Sequence, residues 1–242
     1  MKKLIFVLFF LIMATAAFAQ TIHFGVKGGY NIESESVKGF HVVAIVPLND
    51  PGRGAIADDK LIYQSTTGFN VGGFANIDLH HFTLQTTVLY TTKGVKLPQQ
   101  PVNSYEYPGG LTLPLTVYRL NYLELSFNTL YNINLTPGAA IQLGGGVFKG
   151  RGLSAGYTFG GENKSATFTT SQNIPIHFHS TDYGFNFIAG LALNKSIMIN
   201  WCYSLGLANI ATDGASKITN RVMSFSVGYL FGEAKPPGHR KS

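Results

Sequence analysis

The chain has 242 residues, which allows one large domain or two small ones, and only 12% of them are charged, about half the usual share of a soluble domain. Glycine is abundant at 28 residues and aromatic residues reach 13%, a composition typical of β proteins rather than of disordered ones. A net charge of +6 is too modest to indicate nucleic-acid binding, and a single cysteine excludes an intramolecular disulfide.

The first twenty residues have the features of a secretory signal peptide. Two lysines follow the initiator Met, Leu4 to Met13 is an apolar run, and Ala17-Phe18-Ala19 gives the small-x-small pattern of a cleavage site. The apolar run is too short to cross about 30 Å of hydrocarbon as a stable helix, although an uncleaved anchor is the alternative. We therefore predict that residues 1–19 are removed and that the mature protein is exported.

Beyond Gln20, apolar residues recur at every second position, which is the period of a β-strand rather than of a helix. This pattern predicts eight strands, over 22–31, 66–78, 80–92, 117–131, 138–150, 181–193, 196–208 and 218–231. In the central windows of these strands, 35 of 40 positions of one parity are apolar or aromatic and none is charged. The opposite parity is rich in Asn, Gln and Ser, and its only charged residues are Lys27 and Glu124.

The connections between these strands alternate strictly between short and long. Short turns are expected around Leu79, at 132–137 and at Asn194-Lys195, and the long connections are 32–65, 93–116 and 151–180, with a shorter one near 209–217. An even number of strands with both ends on the short-turn side is typical of outer-membrane barrels. A water-soluble sandwich or lipocalin-like barrel is the alternative, because it also alternates, with its apolar face inward.

Aromatic residues favour the membrane interpretation. They gather towards the two ends of the apolar faces, as the interfacial girdles of a membrane barrel do. The girdle predicted on the short-turn side contains Phe24, Phe82, Tyr131, Tyr229 and Phe231, and the girdle on the other side contains Tyr30, Tyr90 and Tyr183. The predicted fold is therefore all-β, an eight-stranded antiparallel up-and-down transmembrane β-barrel over residues 20–231.

The polar parity then lines a narrow interior. An unpaired charge there is costly, because eight strands leave little space for water. We expect Lys27 and Glu124 to pair across this interior, directly or through Gln142, Asn128 or a water molecule, and to plug it. The lumen-lining polar residues predicted besides this pair are Asn128, Gln142, Asn186 and Asn200.

Several strands resemble the PorT-like outer-membrane β-barrel family of Bacteroidota. The segments that are similar are Phe24–Asn31, Tyr122–Leu125, Phe187–Leu193, Trp201–Ile210 and Phe225–Phe231. The resemblance extends over most of 20–231 but lies in the strands alone, and it implies a fold and a location in the outer membrane rather than an activity. It suggests an accessory role in secretion across the outer membrane.

The C-terminus departs from this family. Such barrels usually end on the aromatic residue of the last strand, which the barrel-assembly machinery recognises. Here Phe231 is followed by the basic segment 232–242, which contains Pro236-Pro237. We expect 232–242 to be a disordered tail on the periplasmic side.

The sequence contains no convincing catalytic or metal-binding set. His80 and His81 lie beside a predicted turn without a suitably placed Ser, so a lipid-modifying hydrolase is the weaker hypothesis. His177 and His179 could share a metal, with His41 in another long connection, but no third ligand is evident. We therefore predict no enzyme activity, no catalytic residue, no metal and no cofactor.

The expected function is structural or surface-binding, with the long connections facing the outside. Aromatic residues of these connections suit contacts with protein or glycan, namely Tyr63, Tyr105, Tyr107, Tyr157, Phe159 and Phe168. Passive transport is disfavoured because side chains fill a barrel of eight strands. The expected partners are outer-membrane lipid and lipopolysaccharide, the barrel-assembly machinery and an extracellular ligand or protein, with no nucleic acid among them.

Overall fold

The structure, a computed structural model, describes residues 22–38, 42–44, 55–57, 63–79, 81–104, 107–136, 138–166, 168, 178–193, 196–211 and 217–231. The predicted signal peptide 1–19 and the predicted tail 232–242 therefore lie outside the described residues. In the part of the chain that is described, no helix is both long and apolar enough to span a bilayer.

Thirteen β-strands make up the described chain. They are β1 (Ile22–Lys38), β2 (Val42–Ala44), β3 (Ala55–Ala57), β4 (Thr66–Leu79), β5 (Phe82–Leu97), β6 (Gln100–Ser104), β7 (Tyr107–Leu113), β8 (Thr116–Thr136), β9 (Ala139–Phe159), β10 (Glu162–Ala166), β11 (Thr181–Leu193), β12 (Ile197–Gly206) and β13 (Lys217–Leu230). Eight of them form an antiparallel ring in the order β1-β4-β5-β8-β9-β11-β12-β13, and β13 pairs back with β1. The predicted eight-stranded up-and-down barrel is confirmed.

The ring places apolar side chains outside and polar side chains inside. None of the 40 positions of the apolar parity is buried, and large side chains such as Phe24, Phe187 and Val227 are about half exposed or more. Asn, Gln, Ser and Thr side chains of the opposite parity are mostly buried. A water-soluble barrel requires the reverse arrangement, so this one is built to stand in lipid.

The predicted girdle residues lie on the outer face. At the short-turn end, Phe82 packs edge-on against Tyr131 at 5.3 Å between ring centroids, and Tyr229 packs against Phe231 at 5.9 Å. At the other end, Tyr90 packs against Phe69 at 5.7 Å. Phe24, Tyr30 and Tyr183 are also exposed on the wall. The predicted girdle residues therefore lie at two levels of the outer face, one near each end of the apolar band.

Several strands run further than predicted, into the segments expected to be long loops. β1 extends to Lys38, β5 to Leu97 and β9 to Phe159, and the 93–116 connection contains the β6–β7 hairpin. Beyond the girdle the pattern inverts, since Val95 and Leu97 point inward and are buried whereas the charged residue Lys96 between them is on the outward parity. Water replaces lipid outside these extensions, so the sequence loses its apolar outer face although the ladder continues.

Glycines on the inner side of β9 allow neighbouring strands to approach closely. A Cβ atom at Gly144 would collide with the Thr129 carbonyl, and one at Gly146 with the Phe127 carbonyl, both on β8. Glycine at these positions relieves crowding where a curved strand passes close to its neighbour.

Candidate functional site: the charged lumen

A lysine with two carboxylates lies in the half of the lumen that is nearer the long connections. The Lys93 Nζ atom lies 2.9 Å from Glu124 Oε2 and 2.9 Å from Asp182 Oδ2, and all three side chains are at most 8% exposed. Asn220 Nδ2 donates a further hydrogen bond of 2.9 Å to Asp182 Oδ2. These residues, which we call the Lys93 cluster, come from β5, β8, β11 and β13 and so connect strands across the ring.

Aromatic rings enclose the ammonium group of this cluster. Lys93 Nζ lies 4.4 Å from the centroid of the Phe148 ring and 5.3 Å from that of Tyr122. Both rings are buried, so the ammonium exchanges its hydration shell for two carboxylates and two π faces. One cation faces two anions, and the cluster therefore has a formal charge of −1 when all three groups are ionised.

The direct Lys27–Glu124 contact, one form of the predicted pair, is absent from the described chain. Glu124 contacts Lys93 instead, while Lys27 makes no ion pair within the described chain, although it lines the same cavity as Glu124. Lys93 is the first residue of the predicted connection 93–116 and is therefore not among the predicted inward residues. Because β5 continues to Leu97, Lys93 falls on the inward parity and reaches Glu124 first.

The middle of the lumen contains a small polar cavity of about 40 Å³. Three predicted lumen residues, Asn128, Asn186 and Asn200, line it together with Lys27 and Ser204. Asn186 Nδ2 donates to Asn128 Oδ1 at 3.4 Å, and Ser204 Oγ donates to Asn186 Oδ1 at 2.8 Å. A volume of this size holds about three water molecules.

The fourth predicted polar residue, Gln142, belongs to a network nearer the short-turn end. Gln142 Nε2 donates to Asn132 Oδ1 at 2.9 Å, and Asn132 Nδ2 donates to Thr83 Oγ1 at 2.9 Å. Thr83 in turn donates to Asp78 Oδ1 at 2.7 Å. These hydrogen bonds join the neighbouring strands β4, β5, β8 and β9 along the inner wall near the short-turn end.

A second polar layer surrounds Asn31, which is fully buried on β1. Its Nδ2 donates to Thr91 Oγ1 at 3.0 Å, and its Oδ1 accepts from Asn70 Nδ2 at 2.7 Å and from Ser224 Oγ at 2.9 Å. Asn70 Oδ1 also accepts from Ser226 Oγ at 3.1 Å. β1, β4, β5 and β13 are thereby joined inside the barrel.

Two acidic residues lie on the part of β1 beyond the Tyr30 girdle. Glu33 is buried and accepts a hydrogen bond from Thr92 Oγ1. Glu35 Oε1 is buried and accepts no hydrogen bond from the residues that the structure describes. Burial, together with Asp182 and Glu33 nearby, raises the pKa of Glu35 to about 8, so its carboxyl group is mostly protonated at neutral pH.

An apolar cluster, which we call the apolar cap, lies at the end of the lumen nearer the long connections. Its buried members are Leu120, Tyr122, Ala166, Phe178, Ile210, Ala211 and Ile218. Phe178 comes from the β10–β11 connection and Ile210 from the β12–β13 connection, and the backbone joins them through His179 N to Ile210 O at 2.9 Å. Burial in the cap raises the pKa of Tyr118 to about 12, so its phenol is neutral.

Part of the aromatic set expected to meet external ligands packs into this cap. Tyr157 stacks on Tyr118 at 5.8 Å, and Phe168 packs edge-on against Tyr122 at 5.4 Å. Tyr157 and Phe168 fall in the connection expected over 151–180 and are therefore among the residues predicted for surface contacts. The signal that places Tyr157 on a strand is the alternation of apolar residues at 153, 155, 157 and 159, which continues β9 beyond its predicted end at 150.

The histidines do not assemble into a reactive set in the described chain. His81 packs against the Tyr131 ring at 6.2 Å, as expected of an interfacial turn residue. His80, His41 and His177 lie outside the described residues, whereas His179 is exposed. Within the described ranges, no group of three or more His, Cys, Asp and Glu side chains could hold a metal ion.

Solved structures of small outer-membrane proteins resemble this chain at low sequence identity. Ail of Yersinia pestis, solved with the heparin analogue sucrose octasulfate, is 12% identical with a TM-score of 0.40, over 87% of this chain and 99% of Ail. Neisserial surface protein A is 16% identical with a TM-score of 0.41, over 86% and 95% of the two chains. OprG of Pseudomonas aeruginosa is 15% identical with a TM-score of 0.43, over 88% and 97%.

Comparison with curated proteins gives no significant match. A family model does match, and its description is outer membrane protein beta-barrel domain. The match covers residues 18–212, which is most of the chain and includes seven of the eight ring strands in full. The closed antiparallel ring and its lipid-compatible outer face agree with that description. The chain therefore belongs to the outer membrane protein beta-barrel domain family.

Proposed function

We propose that the protein is a non-enzymatic outer-membrane barrel with a closed lumen, and that its long connections serve a structural or surface-binding role outside the cell. In this proposal residues 1–19 are removed on export and the short turns face the periplasm. The observation that supports a closed lumen best is the Lys93 cluster beneath the apolar cap. An ion entering from the outside would have to displace both.

The energetics of the lumen favour this proposal over passive transport. The cavity beside the cluster is about 40 Å³, and hydrogen-bonded networks around Asn31 and Gln142 line the inner wall. Opening a path would break these hydrogen bonds and separate Lys93 from its two carboxylates in a poorly hydrated interior.

Planar-bilayer recording tests the closed lumen. The full-length barrel, folded in detergent and verified by its heat-modifiable gel mobility, is expected to give no steady ion conductance. An open porin inserted into the same bilayer serves as the positive control. Steady conductance from the wild-type protein would reject the closed lumen.

Labelling of intact cells tests the orientation. An epitope tag at Gly161, in the turn between β9 and β10, is expected to be reached from outside, because this turn belongs to a long connection. A tag at Gly138, in the short turn between β8 and β9, is expected to be reached only after the outer membrane is opened. Reversed labelling would overturn the orientation.

A second candidate is an accessory role in secretion or transport across the outer membrane, which the likeness of the strands to the PorT-like family of Bacteroidota supports. A genetic deletion separates the two candidates. Loss of secreted proteins from the medium without loss of outer-membrane integrity favours the accessory role. A lipid-modifying activity is the weakest alternative, and it requires turnover of outer-membrane lipid that disappears when His80 or His81 is replaced.

A further inference from the structure

Two adjacent basic residues interrupt the uncharged outer wall. The outward positions of β9 from Ala139 to Val147 carry no charge, but the next two outward positions are Lys149 and Arg151. Both side chains are exposed. As they lie on the same face two residues apart, their Cα atoms are separated by about 7 Å.

Their neighbours place this pair at the border between lipid and water. Lys149 lies opposite Tyr183 of β11, a residue of the outer girdle, and Arg151 lies opposite Thr181. On the other side, Lys149 lies opposite Leu125 and Arg151 opposite Leu123, both exposed apolar residues of β8. The pair therefore stands at the level of the lipid headgroups, with hydrocarbon-facing side chains beside it.

Nothing in the described chain neutralises the two charges. Neither residue forms an ion pair within the described ranges, and the outward positions that flank them on β8 and β11 are Leu, Tyr and Thr. A Lys or Arg side chain at the membrane interface extends its charged end towards the headgroup region, where anionic groups attract it. The available anions at this level belong to lipid headgroups.

We propose that Lys149 and Arg151 bind a phosphate group of the outer-leaflet glycolipid of the outer membrane. A guanidinium group forms bidentate hydrogen bonds with phosphate, and an ammonium group adds a second positive charge on the same face. The Thr181 hydroxyl lies on the strand beside Arg151 and offers a further donor. The choice of the outer leaflet rests on the proposed orientation, in which the long connections face the outside.

Lipid retention in nanodiscs tests the site. The full barrel is reconstituted with phosphatidylcholine and a small fraction of bisphosphorylated lipid A, and the affinity for lipid A is measured by native mass spectrometry after titration. The double variant Lys149→Gln/Arg151→Gln is expected to bind lipid A about thirty-fold more weakly, because each of the two basic residues near the charged membrane surface contributes a similar factor to the affinity. Each single variant is expected to lose about fivefold.

Controls separate the phosphate site from general attraction. Lys164→Gln removes a cation on β10, where Lys164 lies 3.5 Å from Glu162, and is expected to leave lipid A binding unchanged. Lys149→Arg is expected to retain binding because it keeps the charge. Removal of the lipid A phosphates is expected to reduce wild-type binding to the level of the double variant.

Three results would overturn the proposal. These are undiminished binding by the double variant, undiminished binding of dephosphorylated lipid A, or equally tight binding of phosphatidylglycerol. Heat-modifiable mobility checks that the variants fold, which is expected because both side chains are exposed. Nanodiscs present lipid A in both leaflets, so failure here is distinct from failure of the orientation, which epitope labelling tests.

Discussion

Replacing Lys93 with Met removes the cation of the Lys93 cluster and retains most of the side-chain volume. Glu124 then loses a contact of 2.9 Å, whereas Asp182 keeps the amide of Asn220. Removing one partner of a buried ion pair costs about 3–5 kcal/mol, and the retained Asn220 bond favours a value within this range rather than twice it. Lys93→Met is therefore expected to lower the free energy of unfolding by about 3–5 kcal/mol.

The net charge that each variant leaves in the Lys93 cluster distinguishes the expected losses of stability. Asp182→Asn leaves Lys93 paired with Glu124 at zero net charge, so it should cost only about 1–3 kcal/mol. The triple variant Lys93→Met/Glu124→Gln/Asp182→Asn should recover part of the loss caused by Lys93→Met, since no buried charge of the cluster remains unpaired.

Urea titration of the barrel in lipid vesicles measures these differences. Fluorescence of Trp201, the single tryptophan and an outward residue of β12, reports unfolding together with gel mobility. If Lys93→Met costs no more than Asp182→Asn, the cluster is not held together by its charges and the reasoning fails.

The remaining predictions concern the wall, the glycines and the pH dependence. Phe187→Arg is expected to destabilise the barrel by about 2–4 kcal/mol, because residue 187 faces lipid near the midplane. Leu153→Arg, beyond the girdle on β9, should cost about 0–1 kcal/mol. Equal costs in urea titrations would contradict the assigned membrane level. Gly146→Val should prevent folding, because its Cβ atom would collide with the Phe127 carbonyl. Gly156→Ala should fold normally, since the nearest contact of its Cβ atom is at 3.6 Å. A normal heat-modifiable shift in gel mobility for Gly146→Val would refute the close packing of β8 and β9. Glu35 binds a proton more tightly in the folded state, so the free energy of unfolding should fall as the pH rises from 4.5 to about 8. Glu35→Gln should reduce this dependence of the free energy of unfolding on pH. If denaturation at several pH values shows the same dependence in the variant, another group is responsible.

The membrane-spanning part of the fold could be predicted from sequence because lipid imposes a strict rule on it. Outward residues between the girdles are nearly all apolar and none is charged, so the parity of residues such as Phe187 and Asn186 is visible without a structure. Past the girdle the outer face meets water and that rule no longer applies. Strand ends such as Val95 and Leu97 were therefore interpreted as loop.

The same limit explains why the charged cluster was missed. Glu124 lies in a regular part of its strand and was identified as inward, but its partner Lys93 lies just past the last residue of the predicted strand. Asp182 precedes the apolar window used for its strand. Pairing across a barrel also depends on how neighbouring strands are staggered around the ring. The alternation of residues along one strand carries no information about that stagger. Lys27 was chosen because it was the only inward cation visible.

The unequal lengths of the ring strands give the barrel an oblique rim. β8 and β9 each have 21 residues, whereas β12 has 10. At an ordinary strand rise and tilt, these lengths correspond to heights of roughly 50 Å and 25 Å. In the proposed orientation, the β8–β9 wall rises highest among the described ring strands on the outer side of the membrane, so a large molecule that reaches this wall would contact the flank of a sheet.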